Sequence, residues 1–232
     1  MNKPNLFLAL WVLFLFASCN IKTYEGGETT EKRKVEEYSG LHIKGPFDVR
    51  INTDNRAGVS ITAPSDAVPD ITTEVRNGIL VIDLDARGFT TQSFDVAIGN
   101  AELDEISMSG SGSFEGEILS KDKLTLEVGG SGFINAIANP RELEADVSGS
   151  GSIKASGKCE SLEAEISGSG SISMRNMESK NADVSISGSG SMSTNVSGEL
   201  KASISGSGSI SYTGNPEKVD KSVSGSGSVS SF

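Results

Sequence analysis

Seven times from residue 109 onward a pair of glycines stands among serines, and the spacing barely changes. The first glycine of each pair is Gly110, Gly130, Gly149, Gly168, Gly188, Gly206 and Gly225, at intervals of 20, 19, 19, 20, 18 and 19 residues. Read alone, S-G-S-G-S is a flexible linker. The flanks exclude that. Leu143, Ala145 and Val147 precede one motif and Ile153 and Ala155 follow it; Leu162, Ala164 and Ile166 precede the next, followed by Ile172 and Met174. Apolar residues at every second position are what a strand with one buried face requires. A fixed period near nineteen, carried by strands and no helix, predicts an all-β chain, a single-stranded parallel, right-handed β-helix with one repeat per coil.

The parity within the motif adds a second expectation. Gly149 and Gly151 are in step with Val147 and Ile153, whereas Ser148, Ser150 and Ser152 are out of step. The glycines are therefore expected to face inward where the coil is too narrow for a side chain, or to take a positive φ at a corner. The serines face solvent as a ladder of hydroxyls. A third inward column is expected at Ile137, Cys159, Met177 and Val196, which makes Cys159 a buried small hydrophobe. Aromatics are only 6% of the chain, so the core is expected to be built from stacked aliphatic side chains, each contributing about 1.5–3 kcal/mol when fully buried.

Ahead of the repeats the period dissolves but strands persist. Phe47, Val49 and Ile51 alternate with polar residues, as do Val59, Ile61 and Ala63, then Leu80, Ile82 and Leu84, then Phe94, Val96 and Ile98; Asn77-Gly78 and Pro64-Ser65-Asp66 mark turns between them. Residues 36–102 are read as irregular N-terminal coils that cover one end of the solenoid, and residues 103–232 as the repeat coils, with the tail Val229–Phe232 over the other end. Residues 36–232 form one β-helix domain.

The N-terminus belongs to a different argument. Lys3 precedes an unbroken apolar run from Leu6 to Phe16, too short to span a bilayer, which needs roughly 20 residues. Residues 1–18 are expected to be a signal peptide. Leu15-Phe16-Ala17-Ser18-Cys19 resembles the bacterial lipobox, departing from it at Phe16; the resemblance implies lipid attachment at Cys19, hence a membrane partner through the anchor. Asn20 rather than Asp follows that cysteine, and the resemblance to enterobacterial lipoprotein sorting implies the outer membrane. Residues 19–35, polar and without period, are read as a tether.

The chemistry the sequence lacks narrows the function. With Cys19 lipidated, Cys159 has no disulfide partner, and His42 is the sole histidine, so zinc sites and histidine-based triads are not expected. Without residues 1–18 the chain carries 19 basic and 31 acidic residues, −12 net, which disfavours nucleic acid. The glycine runs lack the G-x-G-x-x-G or G-K-[ST] context of nucleotide sites. Gly129-Gly130-Ser131-Gly132-Phe133 lacks the Asp of a calcium-binding β-roll. No cofactor, metal or catalytic residue is expected. Glu127, Asp146, Glu165 and Asp183 are expected to recur along one solvated outer face.

The G-S-G-F-I-N of Gly130–Asn135, the recurring S-G-S-G-S-[I/M/V], the Gly214-Asn215-Pro216-Glu217-Lys218-Val219-Asp220 ending, and upstream Gly40–Ile43, Phe47–Val49 and Glu74–Leu80 together resemble the putative auto-transporter adhesin, head GIN domain family. The resemblance implies a parallel β-helix in envelope lipoproteins and brings no catalytic residues across. The expected function is a non-enzymatic, adhesin-like envelope lipoprotein presenting a surface to a glycan or protein ligand. Two alternatives stand beside it, a structural spacer without specific ligand and a polysaccharide-active β-helix enzyme.

Overall fold

A computed structural model describes residues 21–52, 58–85 and 90–232. Nineteen strands run in chain order: β1 (Glu28–Lys34), β2 (Gly40–Lys44), β3 (Phe47–Ile51), β4 (Gly58–Pro64), β5 (Ile71–Arg76), β6 (Ile79–Leu84), β7 (Phe94–Ile98), β8 (Glu105–Ser109), β9 (Ser113–Ile118), β10 (Lys123–Val128), β11 (Phe133–Ala138), β12 (Glu142–Gly149), β13 (Ser152–Gly168), β14 (Ser171–Gly188), β15 (Ser191–Val196), β16 (Glu199–Gly206), β17 (Ser209–Thr213), β18 (Lys218–Gly225) and β19 (Ser228–Ser231). Through the repeats every pairing is parallel and joins a strand to its equivalent one coil away. The molecule is the β-solenoid that the repeat predicts.

Each coil contributes to two walls. The first wall runs β5, β6, β2, β8, β10, β12, the second half of β13, the second half of β14, β16 and β18. The second runs β1, β4, β7, β3, β9, β11, the first halves of β13 and β14, β15, β17 and β19. The core lies between them as stacked columns. Val147, Ile166, Ile186 and Ile204 form one column, each at most 3% exposed.

The glycine pair divides between the two expected roles. Gly168, the first of its pair, has φ +131°, and a Cβ there would stand 2.6 Å from the carbonyl oxygen of Gly149 in the preceding coil. It is a corner that L side chains avoid and that the neighbouring coil also closes. Gly170, the second, is buried; a Cβ would collide with Val147 Cγ1 and stand 2.6 Å from Gly151 O. One glycine turns the chain and the other admits the column beneath it. The corners remain paired from coil to coil, with Ser169 N donating to Gly149 O at 2.9 Å and Ser171 N to Gly151 O at 3.0 Å.

The irregular coils are folded in a different order from the one in which they are written. β2 and β3 do not form the end of the stack. They lie between β6/β7 and β8/β9, in register with the repeats, so the later β6/β7 is laid outside them. Antiparallel strands finish that end: β5 on β6, β4 on β7 and β1 on β4. Asn77 (φ 52°) and Gly78 (φ 78°) make the β5–β6 hairpin turn.

Three expectations need correction. Residues 28–34, read as tether, form β1, paired from Glu28↔Pro64 to Lys34↔Gly58. The strand is almost wholly exposed, so main-chain pairing holds it and no apolar alternation betrays it. Upstream, Tyr24 is 4% exposed and its ring packs on Phe94, so this part of the segment is also docked. Second, Ile137 is 51% exposed; Ile134, Ala136 and Ala138 take the inward parity, and Cys159 stacks with Ser179 and Val196 in a separate column. Burial pushes the Cys159 thiol up to about 11, which leaves it an unreactive thiol at neutral pH. Third, the tail does not cover the last coil. β18 and β19 are that coil, and Val223 is 45% exposed on it.

Candidate functional site

Cys19, the expected lipid-attachment site, and residues 1–18, the expected signal peptide, lie outside the described residues, so the candidate sites here are surfaces of the solenoid body. Parallel pairing in register turns each outward sequence position into a column, and the columns differ sharply between walls.

On the first wall, Glu127, Asp146 and Glu165 align. Asp183, expected among them, belongs to the neighbouring column with Glu144 and Glu163. It lies five residues before its glycine, whereas the other three lie three before theirs. Two carboxylate columns therefore run side by side. Asp146 stands at their centre, and its carboxyl is pushed up to about 6, first by burial and then by Glu144, Glu165, Glu127 and Glu163. Lys123 pairs with Glu144 at 2.5 Å and relieves only that flank. Among the described residues no group of three or more His, Cys, Asp or Glu is arranged to hold a metal ion.

On the second wall the repeat coils present serines. Ser171, Ser191, Ser209 and Ser228 form one outward column, and Ser173, Ser193, Ser211 and Ser230 the next. Over them runs a groove of about 520 Å³ whose lining includes Arg175 and Phe232. A bulge places the arginine. Met174 pairs with Thr194 and Glu178 with Asn195, so Arg175, Asn176 and Met177 have no opposite number in β15. The bulge turns Met177 into the core and leaves Arg175 exposed. It also explains the uneven spacing, because Gly168 to Gly188 spans 20 residues and Gly188 to Gly206 only 18. The guanidinium lies 3.8 Å from the Phe232 ring centroid. Beneath them Ser193 is reduced to 8% exposure, and its hydroxyl reaches Ser173 at 3.4 Å.

A second cavity, about 710 Å³, lies where residues 35–39 and 99–102 meet Gly58 and Leu119. Asn100 braces its wall, its Nδ2 donating to Tyr38 O at 2.7 Å while its Oδ1 accepts from Glu102 N at 3.0 Å. Burial pushes the Tyr38 hydroxyl up to about 12.

Sequence reasoning located the serine ladder and the acidic face. It missed the Arg175–Phe232 pair, because those residues are distant in the chain and only the stacking of coils brings them together. The one available signal was the long interval that contains Arg175.

Comparison with known proteins agrees with this architecture. A family model described as putative auto-transporter adhesin, head GIN domain, matches residues 37–216. A putative adhesin from Bacteroides fragilis superposes with TM-score 0.80 at 22% identity, over 90% of this chain and 98% of that one. A putative lipid binding protein from Parabacteroides distasonis gives 0.75 at 24% identity, over 92% and 100%. A putative adhesin from Parabacteroides merdae gives 0.68 at 21%, over 91% and 99%. At these identities the likeness concerns the fold. None of the curated proteins compared with the chain matches it.

Proposed function

The chain belongs to the putative auto-transporter adhesin, head GIN domain family, and on that premise we propose that it is a non-enzymatic, adhesin-like lipoprotein of the outer membrane. Cys19 carries the lipid, residues 1–18 are the signal peptide that directs it there, and the solenoid presents its outer walls to a glycan or protein ligand. The observation that carries this reading is the coil-to-coil register. It converts single outward residues into straight ranks of hydroxyls and carboxylates on a stiff body. Such ranks suit an extended, repetitive ligand, whose binding adds small contacts over many coils.

Binding of the full chain to arrays of glycans and matrix proteins tests the reading. Specific retention of at least one ligand class is expected; no retention would favour a spacer that binds nothing. Conversion of a retained polysaccharide to shorter products would replace the adhesin reading with an enzymatic one. The anchor is tested separately. Cys19→Ala should abolish incorporation of radiolabelled palmitate, and persistent label would refute lipidation at Cys19. Proteolysis of intact cells then distinguishes a surface-displayed body, which is cleaved, from one facing the periplasm.

A further inference from the structure

The groove on the second wall has an ionic character at odds with the rest of the molecule. The chain carries 31 acidic against 20 basic residues, yet Arg175 is the single charged side chain lining this groove. The acidic columns around Asp146 belong to the other wall. Arg33, Arg76 and Arg141 each hold a carboxylate; Arg175 pairs with none among the described residues and instead stacks on Phe232. Stacking uses the face of the guanidinium. It fixes the plane while leaving the N–H fork at its edges free, the geometry that grips a planar carboxylate through two parallel hydrogen bonds. The floor supplies a second kind of recognition. Serine hydroxyls, each a donor and an acceptor, repeat from coil to coil at about 4.8 Å. Phe232 is 68% exposed as a residue, and its ring offers an apolar edge for the C–H face of a sugar. The bulge that aims Arg175 interrupts main-chain pairing between β14 and β15, and bulges recur where a strand re-aims a functional side chain.

We propose that this groove is a binding site for an acidic saccharide, in which Arg175 takes a uronic carboxylate, the serine ranks take ring hydroxyls and Phe232 takes the apolar face of a sugar. This rests on the reading of the solenoid as a ligand-presenting surface and names the ligand class for one wall.

Calorimetric titration of the full chain in detergent with trigalacturonate, and with neutral trigalactose as control, tests it. Trigalacturonate is expected to bind, at least tenfold more tightly than trigalactose, and to weaken as salt is raised. Arg175→Gln should weaken it at least tenfold with an unchanged melting temperature. Arg175→Lys should retain only part of the affinity, because a point charge replaces the fork. Phe232→Ala should lower affinity about threefold, and Arg76→Gln, on β5, should change nothing. The proposal is overturned if trigalacturonate does not bind, if trigalactose binds equally well, or if Arg175→Gln matches the unsubstituted protein. Array ligands still retained by Arg175→Gln would leave the general reading standing while this site fell; loss of all array binding in the unsubstituted protein would remove both.

Discussion

The two ends of the solenoid solve the same problem with different materials. A coil cannot bury its own apolar face and must be covered by a neighbour or a cap. At the N-terminal end the cover is built from unlike parts. Antiparallel β1, β4 and β5 seal the sheet edges, and Tyr24, Phe47 and Phe94 form a ring cluster with centroid separations of 5.8 and 5.9 Å. Lys22 and Tyr24 both bond Asp70 and pin the incoming chain. In the repeats, by contrast, Phe114 in the first of them is the one buried aromatic; the other buried side chains are Ile, Leu, Val, Ala and Met, with Cys159 and a few small hydroxyl residues, and each coil relies on its copy. At the last coil the inward column Ala145, Ala164, Val184, Ala202 continues into Lys221. That lysine is exposed; its ammonium donates to Val229 O at 3.2 Å and lies 5.0 Å from the Tyr212 ring centroid. One end is closed by added strands and rings, the other by a charge set into the core column. An inward charge is a recognised means of blunting a sheet edge against further pairing.

The largest expected effect breaks a column in the repeats. Ile166→Asp puts an unpaired charge between Val147 and Ile186 and should cost at least about 4 kcal/mol, lost as strand signal in circular dichroism and as melting temperature. An unchanged melt would contradict the inward assignment. Phe94→Ala, in the cap, should cost about 3–5 kcal/mol. Hydrogen exchange should show its loosening confined to the N-terminal coils, and uniform loosening would mean that the two regions unfold as one unit.

Glycine substitutions sharpen the contrast. Gly168→Ala meets a forbidden φ and a crowded carbonyl and should cost about 2–3 kcal/mol. Gly78→Ala, in a turn with nothing within 4 Å of the added methyl, should cost about 1 kcal/mol. Equal losses in denaturant titrations would show that crowding between coils contributes nothing. At the far end, Lys221→Val should add a concentration-dependent end-to-end assembly, absent from the unsubstituted protein, in sedimentation experiments. A variant that sediments like the unsubstituted protein would mean that other groups blunt that edge.

The smallest effect belongs to Asp146. Its carboxyl titrates near 6 in the folded chain against about 3.9 unfolded, so the native state holds more protons between those values. Stability from this group falls as pH rises through that window and is lowest at neutral pH. Asp146→Asn should therefore stabilise the protein at pH 7 by on the order of 1 kcal/mol, given partial solvent screening, and the gain should vanish near pH 4. A gain independent of pH would assign the effect to packing.

Legibility followed repetition. Leu162, Ala164 and Ile166 could be placed inward because the same parity recurs in coil after coil, and a one-residue error would expose every apolar residue at once. Ile137 was misplaced because its neighbours Ala136 and Ala138 are small and the parity there has to be counted from Ile134. Asp183 shares the acidic face with Glu127, Asp146 and Glu165 but stands in the neighbouring column, because residue type is a poor guide to register. β1 was invisible, since a strand held by main-chain hydrogen bonds with both faces wet has no alternation to read. In the candidate groove the serines were foreseeable, and Arg175 and Phe232 were not.

The repeated glycine pair and the alternating apolar flanks around it together determined that this chain coils, how long each coil is and which parity faces the core, because a strand with one buried face recurs at a fixed interval with a residue lacking a side chain at each narrow corner. The tertiary structure decided what happens where the repeat gives no instruction: that β6/β7 is laid outside β2/β3, that antiparallel strands seal one end, and that a bulge carries Arg175 onto Phe232 from several coils away. Those outcomes depend on contacts between segments distant in sequence, and local pattern carries no record of which distant segment will be the neighbour.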